Sequence, residues 1–106
     1  MTAASGYIFR AVADSTRRAM LDRLAEGDLP VMALAGSFKM TLPAVSQHLR
    51  VLRQAGLVSE RRLGRQRIYT LQAQPLREIA DWIGYYERFW KTNLKRLRDH
   101  LDRNPL

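Results

Sequence analysis

Between residues 40 and 71 the sequence MTLPAVSQHLRVLRQAGLVSERRLGRQRIYTL leaves the chain little freedom of fold. Val45, Leu49 and Leu52 recur at i, i+4 and i+7, the spacing that aligns one buried stripe along a helix. Thr41 stands where an N-cap is needed, Leu42 and Pro43 suit a first turn, and the helix should end near Gly56. After that glycine the pattern changes. Leu57, Ile68, Tyr69 and Leu71 are strand formers, and the turn containing Gly64 and Arg65 fits a hairpin between them.

The flanking segments supply what such a helix and hairpin must pack against. Residues 1–6 are small and polar and are expected to be loosely held. Residues 7–13, YIFRAVA, place Ile8, Phe9 and Val12 at helical spacing, too short a helix to stand alone, so the segment reads as a packing arm. Asp14 reads as the N-cap of a helix over 15–26, accepting from the amides of Thr16 or Arg17. Its apolar face is Ala19, Met20, Leu21, Leu24 and Ala25, with Gly27 just past its end. Asp28 and Leu29 are then a link, and Pro30 opens a third helix with Val31, Leu34 and Ala35 inward.

Residues 75–103 read as one long helix. Leu76, Ile83, Trp90 and Leu97 are spaced by seven, Ala80, Leu94 and Leu101 share a neighbouring phase, and Trp82, Tyr85, Tyr86 and Phe89 add aromatic bulk. That is more apolar surface than one side of a free helix carries. Packing against a second copy, with Ile8 and Val12 of the 7–13 arm alongside Leu76, Ile83, Tyr86, Trp90, Leu94 and Leu97, would make it a dimer interface.

Composition narrows the function. A chain of 106 residues holds one core. Its 18 Lys and Arg against 10 Asp and Glu give a formal charge of +8, which points to a polyanionic partner. Six arginines, Arg50, Arg53, Arg61, Arg62, Arg65 and Arg67, crowd into residues 50–67, countered there by Glu60. The absence of cysteine excludes disulfides and thiolate metal sites. The longest apolar run is five residues, at 31–35, so neither an export signal nor a membrane span is expected and the protein is placed in the cytoplasm. Catalysis is not expected either. Ser46 and His48 lie about 200° apart around a helix and cannot act on each other, and there is no phosphate-binding glycine loop.

Taken together the pattern is a single winged helix-turn-helix domain, mainly α with a small β-hairpin wing and about five helices. Residues 30–56 form the helix-turn-helix and 57–71 the wing. A helix fits the roughly 12 Å major groove, where Ser46 and Gln47 could exchange hydrogen bonds with base edges and Leu42 and Pro43 could touch thymine methyls. Thr41, Arg50, Arg62, Arg65 and Arg67 would hold phosphates or the adjacent minor groove, giving grip and register more than sequence choice.

The blocks ADSTRRAMLDRL, AVSQHLRVLRQAGLV and GRQRIYTL resemble the ArsR/SmtB family of bacterial winged-helix repressors. The resemblance implies a homodimer joined through its first and last helices, bound to an inverted-repeat operator in double-stranded DNA, with Leu42, Pro43, Ser46 and Gln47 facing the bases. The metal-sensing half of the family does not carry over. Where the third-helix sensors carry thiolates this chain has Pro30 and Met32, and Ile83 stands two residues after Asp81 where a zinc site on the last helix needs histidine. The last helix is similar to a metal-independent branch, so no metal and no cofactor are expected.

Two alternatives stay open at this point. The aromatic cluster from Trp82 to Trp90 could line a pocket for an apolar small-molecule effector, although aromatics at helical spacing usually pack as core. The chain could also be a winged-helix docking or dimerisation module that binds DNA only weakly and without sequence preference. His48, beside the buried stripe, reads as a structural hydrogen-bonding residue or a phosphate contact rather than as a ligand.

Overall fold

Each helix of the N-terminal two-thirds is apolar along one side, and these sides meet in one core. The computed structural model describes residues 3–103. In order it contains α1 (Ala3–Val12), α2 (Ser15–Ala25), β1 (Leu29–Pro30), α3 (Val31–Phe38), α4 (Leu42–Gln54), β2 (Val58–Leu63), β3 (Gln66–Leu71), a 3-10 turn (Gln74–Leu76) and α5 (Arg77–Arg103). Met20, Leu34, Val45, Leu49, Leu52 and Leu57 are wholly buried, so α2, α3, α4 and the start of the wing share this core. Burying each such side chain stabilises the fold by roughly 1.5–3 kcal/mol.

The helix starts follow the expected chemistry. The Asp14 carboxylate accepts from the Arg17 amide at 3.0 Å and opens α2. Thr41 Oγ1 accepts from the Ala44 amide at 3.3 Å and opens α4, with Pro43 in the first turn. The α4 helix closes at Ala55, and Gly56, at φ 73°, turns the chain into the wing. Gly64, at φ 63°, starts the two-residue turn between Leu63 and Gln66, the position of a tight hairpin turn that glycine fills without strain.

Four expectations are corrected. Residues 1–2 lie outside the described residues, but α1 begins at Ala3 and Ser5 is buried, its hydroxyl donating to Glu78 of α5; residues 3–6 are therefore helical rather than loose. Leu29 is not part of a plain link, because it and Pro30 pair with Tyr69 and Ile68 and make the sheet three-stranded, in the order β1-β3-β2. A two-residue strand carries no alternation to read, and proline is tolerated on such an edge. Ala25 is exposed rather than part of the core face of α2.

Ile8 is the fourth. At 3% exposure it lies in the protomer's own core and is not an open interface side chain, whereas Val12 and Leu76 are half-buried against that core and line a surface depression with Leu21 and Ile79. The short α1 packs on α2, α4 and the start of α5 because it has no other way to be stable. On α5 no residue is buried, and Ile83, Tyr86, Trp90, Leu94 and Leu97 are between 41% and 60% exposed. At 27 residues α5 is about 40 Å long and extends well beyond the core that its first turns touch.

Candidate nucleic-acid interface

The third strand positions the site. By pairing with β3, β1 holds the start of α3 against the wing, and the groove between them and α4 encloses about 280 Å³. Leu42 and Ser46 of α4 line it from one side, one helical turn apart, and Arg62, Arg65 and Arg67 line it from the wing. Five residues singled out in the sequence thus converge on one concavity. Thr41, the cap of α4, and Pro43, Gln47 and Arg50 on the helix are exposed but outside that groove. Pro43, Gln47 and Arg50 follow one another at i, i+4 and i+7 and form a second row, turned away from the buried stripe. Arg50 shares a shallow depression with Arg53 and Gln54 farther along the helix.

The arginines divide by partner. Arg53 pairs with Glu60 at 3.2 Å and fastens α4 to β2. Arg61 pairs with Asp28 at 2.9 Å and donates to Thr70 Oγ1 at the same distance, tying the wing to the residue before β1. The Arg61 hydrogen bond holds the Asp28 carboxyl below its ordinary 3.8, so it stays ionised at lower pH than a free carboxylate. Arg50, Arg62, Arg65 and Arg67 form no ion pair among the described residues. Their charge is uncompensated at the surface that faces outward, where a phosphate would find it.

Tyr69 lies at the back of the groove, 4% exposed. Burial, and then the Glu60 carboxylate, raise its phenol above the ordinary 10.0, so it stays neutral. Met32, 63% exposed on α3, and Gln66 at the wing turn also line the groove. Nothing in the local pattern marked them, since their place depends on the β1 to β3 pairing. His48, by contrast, makes the structural contact expected of it, with Nδ1 3.4 Å from the Arg17 guanidinium. Among the described residues no three His, Cys, Asp or Glu side chains are grouped to hold a metal ion, and no helix is long and apolar enough to cross a membrane.

This geometry has known counterparts. Residues 14–60, from the cap of α2 through α4 into β2, match the family described as "Bacterial regulatory protein, arsR family". Over 86 residues the chain is 44% identical to the HTH-type transcriptional regulator Rv2034 of Mycobacterium tuberculosis, covering 81% of this chain and 78% of that one. The chain belongs to the ArsR family. Another relative is the transcriptional repressor SdpR of Bacillus subtilis, 36% identical over 76 residues, with 72% of this chain and 84% of the relative covered. A solved relative is the homodimeric winged helix-turn-helix DNA-binding domain of Mb0332 from Mycobacterium bovis, with TM-score 0.66 and 28% identity over 78% of this chain and 80% of that one. The ArsR-family chain described here is accordingly a winged helix-turn-helix transcriptional regulator, and its relatives are regulators rather than enzymes.

Proposed function

We propose that the protein is a cytoplasmic repressor that binds an inverted-repeat operator in double-stranded DNA as a homodimer. The observation that carries this reading is the groove in which Leu42 and Ser46 of α4 face three unpaired wing arginines, Arg62, Arg65 and Arg67. The row of Pro43, Gln47 and Arg50 continues the same surface outward. In this reading Leu42, Pro43, Ser46 and Gln47 read base edges in the major groove, while Thr41, Arg50 and the wing arginines hold phosphates. The homodimeric Mb0332 domain and the repressor SdpR support the assembly and the direction of regulation. The exposed face of α5 supports the same assembly, with Ile83, Tyr86, Trp90, Leu94 and Leu97 as dimer core rather than as an effector pocket.

Selection of bound sequences from random duplex DNA, followed by competition against bulk DNA over a range of salt, tests the proposal. A two-fold symmetric sequence that survives salt able to strip random DNA is expected. If no sequence outcompetes bulk DNA, the protein is a docking module and the repressor reading is wrong.

A further inference from the structure

His48 stands on α4 directly after Gln47, with 21% of its side chain exposed. Its Nδ1 lies 3.4 Å from a terminal nitrogen of Arg17 and 4.0 Å from Asp14 Oδ2. Arg17 is engaged on its other sides as well. Its Nε donates to the Ala11 carbonyl at 2.8 Å and its other terminal nitrogen donates to the Arg10 carbonyl at 2.9 Å. Both carbonyls belong to the last turn of α1, where helix geometry leaves few backbone partners, and that of Arg10 also accepts from the Ala13 amide at 3.3 Å. One guanidinium thus joins the end of α1, the start of α2 and the middle of α4.

The charge state of the ring decides whether this junction can exist. Arginine only donates, so a ring nitrogen that accepts from it must carry no proton. The surroundings of His48 set its alternatives. The α1–α2 corner supplies Asp14 and Arg17, and α1 carries Arg10 as its charged residue. Helix α3 has no charged residue, β2 faces α4 with Glu60 already held by Arg53, and α4 itself carries Arg50 and Arg53. Protonation would set an N–H and a positive charge against the guanidinium and leave Asp14 as the carboxylate to which the ring can turn. Asp14 is already the cap of α2 through the Arg17 amide.

We propose that Arg17 and His48 are a positioning pair that fixes how α4 is presented to DNA, and that the pair holds while His48 is neutral, so that protonation of the ring weakens sequence-specific binding. The inference rests on the reading of α4 as the base-reading helix. Neither side chain needs to touch DNA. The neutral ring ties the outer side of α4 to the end of α1, and the protonated ring leaves Arg17 and turns toward Asp14, loosening the support beside Gln47 while the buried stripe keeps α4 on the core.

The test compares the affinity of the full-length protein for its selected operator and for random duplex DNA from about pH 8 to about pH 5.5 at constant ionic strength. The expected result is a ratio of specific to random binding that falls on acidification, by at most about tenfold per pH unit for one linked proton. His48→Asn, which offers an uncharged acceptor near the Nδ1 position, is expected to keep the ratio and lose its pH dependence. Arg17→Lys, which cannot reach two carbonyls and the ring together, is expected to lower the ratio already at about pH 8 while leaving random DNA binding in place. A flat wild-type ratio, or a wild-type pH slope retained in His48→Asn, overturns the pair.

A second readout needs no variant. In a wild-type NMR titration the amides of Ala11 and Arg17 are expected to move together with the His48 ring, and amides that stay still while His48 titrates overturn the pair. Absence of any preferred operator at about pH 8 defeats the base-reading assignment and the pair with it. Intact preference with no pH response defeats the pair alone.

Discussion

Phe9 of α1 meets Trp82 of α5 edge to face, with ring centroids 5.4 Å apart and planes at 87°. This contact, with the hydrogen bond from Ser5 to Glu78, fastens the first turns of α5 to α1. Beyond it the aromatics continue along the helix, from Trp82 to Tyr86 at 5.7 Å and from Tyr86 to Phe89 at 6.3 Å, with no core beneath them. Covering such a face is worth more than leaving it wet, which is why a second copy is expected there.

Trp90 is 48% exposed within the protomer, so its removal should leave the fold in place and weaken association. Sedimentation of Trp90→Ala is expected to show a shift from dimer toward monomer with an unchanged far-UV spectrum. A wild type that sediments as a monomer at micromolar concentration would contradict the assembly itself.

Gln47 and Arg65 are expected to fail differently. Gln47→Ala should weaken operator binding by about 1–3 kcal/mol and relax preference at one base position. Arg65→Ala should weaken operator and random DNA alike and flatten the log–log salt dependence by about 0.9 for the lost phosphate contact. Binding titrations on both DNAs at several salt concentrations distinguish them, and identical profiles for the two variants would refute the division between choice and grip.

Leu49 is wholly buried at the centre of the α4 stripe. Leu49→Ala should cost roughly 2–5 kcal/mol, a large part of the about 5–15 kcal/mol by which small domains are stable. Thermal or urea unfolding measures it, and an unchanged midpoint would mean that α4 presents another face to the core.

The Asp28 carboxyl is held below 3.8 by Arg61, so it binds a proton less readily in the folded state than in the unfolded chain. Its contribution to stability is therefore present above the ordinary carboxylate range and is lost as pH falls from there toward the lowered folded value. Asp14, lowered chiefly by the Arg17 amide that it caps, has the same sign. In melts taken as a function of pH, Asp28→Asn should differ from wild type at neutral pH and converge with it in strong acid. A difference that does not shrink in acid would remove the ion pair from the account.

Much of this architecture is local chemistry and could be read in advance. The stripe Val45, Leu49 and Leu52 fixes the inner face of α4, Thr41 and Asp14 cap their helices through side-chain oxygens, and Gly56 and Gly64 occupy left-handed positions that most residues avoid. Arg62, Arg65 and Arg67 were marked by their crowding in the sequence. That they, rather than Arg53 and Arg61, are the unpaired ones was not legible. The partners Glu60 and Asp28 come from other elements and meet the arginines only when the sheet and helix pack.

The sequence by itself therefore determined the helices, the hairpin, the family and the residues of α4 that face outward, because capping, periodicity and turn geometry act over a few neighbouring residues. The tertiary structure decided what those residues share. Pairing of Leu29 and Pro30 with β3 builds one wall of the groove and brings Met32 to it, packing of α1 takes Ile8 out of any interface, and the α1–α2 corner brings Arg17 to His48. These are contacts between segments distant along the chain, and they form because a single small core must bury the apolar side of every element at once.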